Sequence, residues 1–554
     1  MSISTSHGSP TVHGGRPVAI LRDDKTMTRG RQAQLNNIAA ARLITEIIRT
    51  SLGPRGMDKM LITENGVVHI TNDGYTMLKE MSVLHPAAKL LVEISKITDV
   101  SVGDGTTSTV VLAGALLEKA DELLRKGIHP VQIVSGFAKA RDYTIEQLRK
   151  GAIRVDADRA SLISVARTSL QSKIVASEAD HLAQMAADAV LTVAEERNGR
   201  KIVEMKSIKV EKKQGGSIGD SQYMRGIMLD QKLAHPDMPR RLENVKIALL
   251  TVQMKLEDQT LQKHVEIREV EMIKRFISEE VALHKAMVDR CHEAGANFVI
   301  TQKPMDDTVK QHLASLGMMG IEKAYEYEMP KIARATGARI VNSLEDLSEK
   351  DLGFAQVVEQ KKVHQKELLF LEGCRDPKCV SILVRGGNDR VADEAERSMN
   401  DALMVARDMV LSPMLVTGGG ACEAELARLV MDWSKGLEGR EQLAAEKYAE
   451  ALESIPTTLA ENAGMDRTDA STELRAKHAK GGKNFGVSAD GKIRDMATLG
   501  VVEPLAVKEH VINAATEAAS MILRVDNIIT AMPVGPGPRS GMERPAELDA
   551  PVPT

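Results

Sequence analysis

The residues best equipped for chemistry are Gly103-Asp104-Gly105-Thr106-Thr107-Ser108. Behind them Val110, Ala113, Leu117, Ala120 and Leu124 recur at the spacing of one buried helix face, so the loop opens a helix. A helix N-terminus presents unpaired N–H groups and a partial positive charge to an anion. Flanking glycines let the main chain come close to a ligand. The three hydroxyls add donors, and Asp104 is a hard oxygen ligand for Mg²⁺. Together these describe a phosphate cradle with its own metal ligand, although any one of them also fits an ordinary capped turn.

Three further loops share that character: Leu52-Gly53-Pro54, Asn72-Asp73-Gly74 and Gly418-Gly419-Gly420, the last opening another helix. No Gly-x-x-x-x-Gly-Lys-Ser/Thr loop is present. Collectively the four loops offer what ATP hydrolysis needs: backbone amides for phosphates, a carboxylate for Mg²⁺ and a second carboxylate to orient water. Asp401 stands mid-helix among Ala402, Leu403, Val405 and Ala406, an apolar setting that suits a general base.

Helical patterns position these loops. One runs over about 31–50 and stops at the first loop, with strand-like pieces at 60–62 and 67–70, and helices near 87–99 and 107–126 follow. Residues 158–200 read as helical and 201–250 as short β-like runs. From 298 to 341 strand and helix signals alternate, the rhythm of an α/β unit. Long helices return at about 388–411, 419–435, 441–454 and 504–524. The two ends resemble each other more than either resembles the middle, which predicts one terminal domain built from both ends with the rest inserted. Residues 255–280 form a highly charged arm ahead of an amphipathic helix, and 1–17 and the Pro-rich 531–554 read as disordered tails.

Composition narrows the function. The chain has 554 residues, enough for several domains, and its net charge of −4 gives no electrostatic case for nucleic acid or membrane lipid. Thirteen aromatics leave little for stacking bases. Cys291, Cys374, Cys379 and Cys422 are scattered and lack metal-ligand spacing, as expected of reduced thiols. The longest clean apolar run, 110–117, is too short to span a bilayer. A soluble cytoplasmic chain is expected.

Several runs resemble signatures of the group II chaperonins, the family of thermosome subunits and of the eukaryotic cytosolic chaperonin. They include Thr50-Ser-Leu-Gly-Pro-Arg-Gly-Met-Asp-Lys59, Val102-Gly-Asp-Gly-Thr-Thr-Ser108, Thr168-Ser-Leu-Gln-Ser-Lys173, Leu459-Ala-Glu-Asn-Ala-Gly464 and Val502-Glu-Pro-Leu-Ala-Val-Lys508, in family order. The resemblance implies a multidomain α+β fold. Its parts would be a mainly helical, split equatorial ATPase domain (18–154 and 413–530), a small hinge-like intermediate domain (155–225 and 377–412) and an α/β apical domain (226–376). The apical domain would hold client protein and carry a helical protrusion at about 255–280 as a lid.

It also implies roles. Leu52, Gly53, Pro54, Gly105, Thr106, Thr107, Ser108, Thr168, Ser169, Gly418, Gly419 and Lys508 would surround the nucleotide, with Asp104 on Mg²⁺. Asp73 and Asp401 would position and deprotonate water, and Lys173 would sense the terminal phosphate. Glu503 would reach the ribose, while Gly486 to Asp490 would lie by the base. The function so implied is an ATP-dependent chaperone using ATP and Mg²⁺. Its partners would be unfolded client proteins and further subunits, alike or different, in stacked rings. The alternatives are a small-molecule phosphotransferase with 226–376 as acceptor domain, or a scaffold that binds nucleotide without hydrolysing it.

Overall fold

The computed structural model describes residues 25–63, 66–255, 270–363, 366–374 and 379–531. The tails and most of the charged arm expected at 255–280 lie outside these residues, and the arm's helix is described from Val270 to Glu293.

Three hydrophobic cores organise the chain. The largest gathers helices from both ends: Gly30–Arg49, Pro86–Val102, Thr106–Arg125 and Pro130–Gly151 pack with Ala421–Ser434, Arg440–Leu452 and Leu505–Leu523. Its centre includes Leu116, Leu117, Phe137 and Tyr448, all fully buried. Strand Lys25–Arg29 pairs antiparallel with Asn527–Ala531, so the two ends close on each other through main-chain hydrogen bonds. Burial of apolar faces, at about 25 cal/mol per Å², holds such helices where propensity alone would not.

A second core belongs to the middle of the chain. Strands Arg241–Leu250, Phe298–Thr301, Met319–Ile321 and Ile340–Val341 lie parallel, and Gly353–Val363 and Lys366–Glu372 continue the sheet antiparallel. Helices Val270–Glu293, Asp307–Ser315 and Met329–Thr336 belong to the same core. The third core joins the other two. In it helices Arg159–Leu170, Ala179–Val193 and Asp389–Leu411 pack with the parallel strands Ile208–Gln214 and Val380–Gly386.

One sequence reading is corrected here. Residues 158–200 are not helical throughout, because the helix ends at Val193 and Ala194–Arg197 pairs with Arg200–Val203 as a hairpin. Asn198 and Gly199 make the turn, both at positive φ (54° and 72°), the pairing that two-residue hairpin turns demand. The helices Ser454–Asn462 and Arg467–Ala479 were likewise not anticipated.

The long helix Asp389–Leu411 is tied to the first core near its end. Arg407 donates to the Ser101 carbonyl and to Asp408. Burial pushes the Asp408 carboxyl up to about 6, with Arg407 opposing. A raised carboxyl contributes stability below its unfolded value near 4, and that contribution is lost as pH rises through 6. At most about 3 kcal/mol is at stake for a shift of this size. Asp408→Asn should therefore gain stability relative to the parent between pH 4.5 and 7.5, read as urea midpoints at each pH.

Among the described residues, no helix is long and apolar enough to cross a membrane.

Candidate active site

The first, second and fourth glycine loops, far apart in sequence, converge. Leu52, Gly53, Pro54, Asp104, Gly105 and Gly419 line one cavity of about 600 Å³. Ser108, Thr168, Ser169, Asp490, Glu503 and Lys508 line it as well. Thr106, Thr107, Gly418 and Gly486 do not line it. The two threonines start the helix behind the cavity, and a Cβ on Gly486 would sit 2.6 Å from the Gly419 carbonyl.

Local chemistry explains the convergence. Gly53, Gly105 and Gly419 take φ of +82°, +81° and +61°, a region that side-chain-bearing residues avoid. Helix Thr106–Arg125 begins after Gly105 with no side chain capping its first turn. Asn462 Nδ2 donates to the Arg49 and Leu52 carbonyls (3.0 and 2.8 Å), fixing the loop after the first helix. Arg55 Nε donates to the Ala489 carbonyl at 2.9 Å, tying that loop to hairpin Phe485–Val487/Ile493–Asp495. Neither contact was visible in the sequence.

Beside the cavity lies a carboxylate cluster. Asp73 caps helix Gly74–Glu80 through Thr76 N (2.8 Å) and accepts from Thr106 Oγ1 at 3.0 Å, which holds the Asn-Asp-Gly turn against the Gly-Asp-Gly loop. Asn72 Nδ2 donates to the Ser172 carbonyl. Asp401 is brought in by close helix approach. A Cβ on Gly103 would lie 2.4 Å from Met404 Cβ and 3.7 Å from Asp401 Cα, so only glycine lets helix Asp389–Leu411 rest on the loop that ends in Asp104. Lys173 forms a buried ion pair with Asp401.

Charge in the cluster is unbalanced. Burial pulls the Lys173 ammonium down, but Asp401, Asp104 and Asp73 outweigh it and hold the group well above its ordinary value. Burial, with Lys173 opposing and Asp73 and Asp104 adding to it, pushes the Asp401 carboxyl well up. The acids raise both groups, because Asp73, Asp104 and Asp401 share a single ammonium, while burial acts on the two in opposite directions. Asp99, one turn before the end of helix Pro86–Val102, belongs to the same group. Burial and Asp73 push its carboxyl up to about 6. Asp99 was missed in the sequence, although an acid five residues before Asp104 was a usable signal.

A cluster with surplus negative charge has room for a cation. Among the described residues no three Asp, Glu, His or Cys side chains form a ready-made metal cage. The neighbouring acids Asp104 and Asp73 fit the needs of Mg²⁺, which takes one or two carboxylates and fills its remaining positions with phosphate oxygens and water. At the other end of the cavity Lys508 Nζ sits between Glu423 (2.7 Å) and Glu503 (2.9 Å).

A helix-rich core closed by both chain ends, an inserted sheet unit, and one cavity combining an open helix N-terminus with acids define a nucleotide-hydrolysing machine of several parts. The chain belongs to the TCP-1/cpn60 chaperonin family, whose model matches residues 44–533. It is 47% identical to the thermosome subunit of Methanopyrus kandleri over 93% of this chain and 95% of that one. Against the thermosome subunits alpha and beta of Archaeoglobus fulgidus it is 44% and 46% identical, covering 99% and 95% of them.

Proposed function

We propose that this chain is a chaperonin subunit that spends ATP at the cavity just described to drive the folding of client proteins held elsewhere on the molecule. The observation that carries the reading is the convergence of Gly53, Asp104 and Gly419 on one cavity. In this reading the first core is the equatorial ATPase domain, the third the hinge-like intermediate domain, and the second the apical domain. The similarity to alpha and beta subunits is nearly equal, which leaves both uniform and mixed rings compatible with it.

The residues divide the work. The uncapped N-terminus of helix Thr106–Arg125 and the backbone at Gly53 and Gly105 receive phosphate oxygens. Asp104 would hold Mg²⁺, which when bound supplies positive charge against the phosphates. Asp73 orients the water and Asp401 takes its proton as the bond to the leaving diphosphate breaks. Lys173, now on Asp401, is placed to transfer its contact to the terminal phosphate and so free the base. Because Asp401 sits on helix Asp389–Leu411 and Lys173 just after helix Arg159–Leu170, both helices of the third core, nucleotide state is coupled to the segment joining the other two.

The test combines size with chemistry. The full chain should elute as a complex many times the mass of one subunit, with Mg²⁺-dependent phosphate release in the same peak. Asp104→Ala should leave the complex intact and cut release by about a hundredfold or more. A monomeric peak that phosphorylates a small molecule would overturn the reading.

A further inference from the structure

His478 lies in the last turn of helix Arg467–Ala479 and is only 2% exposed. Its Nδ1 is 2.8 Å from Glu425 Oε2, and its Nε2 is 2.8 Å from the Phe485 carbonyl oxygen. A carbonyl can only accept, and so can an ionised carboxylate. Glu425 is ionised: burial pushes its carboxyl up, but hydrogen bonds from His478 and Arg428 outweigh it and bring it down to about 2. Both ring nitrogens must therefore donate, which only the imidazolium does. The helix C-terminus that carries the ring favours the same charge. His85 and His129 show the contrast, since Nδ1 of each accepts from a backbone N–H and so carries no proton.

The other charges near the ring are already engaged or lie to one side. Helix Ala421–Ser434 presents Glu425, whose second oxygen accepts from Arg428 Nη2 at 2.6 Å. On the ring's own helix Lys477 pairs with Glu473 and donates to the Ile493 carbonyl at 3.1 Å. On the hairpin Arg494 is engaged with Asp490, and Asp495 with the amides of Ala497 and Thr498. The loop after the helix carries Lys483, which lines a small cavity together with Glu425.

These bonds reach the nucleotide cavity. Strand Phe485–Val487 pairs with Ile493–Asp495, and Val487, Ser488, Asp490 and Arg494 line the cavity. His478 holds the first of these strands through Phe485, and Lys477 holds the second through Ile493. Glu425 belongs to the helix that opens after Gly418-Gly419-Gly420, and Val487 N–H donates to the Gly419 carbonyl at 2.8 Å. One ring thus ties the hairpin wall of the cavity to the helix that starts at its glycine wall.

We infer that His478, as an imidazolium between Glu425 and the Phe485 carbonyl, is a positioning residue that sets the hairpin against the Gly419 loop and makes nucleotide affinity depend on its proton. The inference rests on the nucleotide-site reading above and adds to it a residue outside the cavity lining. Loss of the proton leaves a bare nitrogen facing a buried acceptor, so the hairpin loses one of its holds.

The experiment measures kcat and KM for ATP with the assembled full chain between about pH 6 and about pH 9. Protonation of ATP itself is common to every variant, so each KM is compared with that of H478Q at the same pH. In H478Q the amide N–H groups donate without titrating. The parent's KM should rise about fivefold or more relative to H478Q as pH increases, with the difference confined to KM. In E425Q the amide donates to the bare nitrogen, the neutral ring keeps both bonds, and that rise should vanish. H478A should hold the higher KM at every pH, and the two Gln variants carry the test if H478A does not assemble. A parent KM that tracks H478Q throughout, or a rise that E425Q keeps in full, would overturn the inference. If Asp104→Ala still cut phosphate release in that event, the nucleotide site would stand without His478. If Asp104→Ala released phosphate like the parent, both would fall.

Discussion

Asp401→Ala should lower phosphate release by about 10²–10⁴-fold while leaving ATP binding nearly unchanged, the effect of removing a positioned general base. Asp401 is only 9% exposed. Its carboxyl is raised by burial and by Asp73 and Asp104, which makes its carboxylate a stronger base than a solvated aspartate. The substitution does not strand Lys173, which keeps Asp104 and Asp73 as electrostatic partners. Nor does it disturb the helix, since the contact that seats it is made by Met404 against Gly103. Asp401→Asn should fail equally, because an amide keeps the shape and cannot take a proton. Equilibrium binding of a fluorescent ATP analogue beside phosphate release separates the roles. Equal loss of both would move Asp401 from chemistry to binding.

Lys508→Met should have the largest effect on stability, about 3–5 kcal/mol, the usual cost of breaking a buried ion network from one side. Burial pulls the Lys508 ammonium down, and Glu423 and Glu503 more than restore it. Without it both carboxylates are left without their cation beneath the cavity wall, and Glu423 Oε2 already has no hydrogen-bond partner among the described residues. Lys508 lies in the first turn of helix Leu505–Leu523, and Glu423 in the first turn of helix Ala421–Ser434, which follows the Gly418-Gly419-Gly420 loop. The loss should therefore reach nucleotide affinity as well as the melting temperature. Lys508→Met with Glu423→Gln should recover part of the stability, since one of the two charges is then gone. A single variant that melts like the parent would show that the pair contributes little.

Much of this molecule is legible in one dimension. Helix Thr106–Arg125 follows from apolar spacing and Gly105, and the strands at 298–301, 319–321 and 366–372 follow from short apolar runs between turn residues. The Asn198-Gly199 hairpin carries an equally local signal, but the Ala-rich helical pattern before it outweighs a two-residue turn in the sequence.

Residue type and local spacing settled which backbone positions must be glycine, which helices must bury a face, and which acids stand at loop ends, because these depend on neighbours within a turn or two of chain. The fold alone decided that Gly103 would receive Met404, that Asp99 would join Asp73, Asp104 and Asp401 around one ammonium, and that strand Gln222–Leu229 would change partners midway. Such facts depend on segments hundreds of residues apart meeting at contact distance, and their charges and shapes act on one another only after folding has removed the water between them.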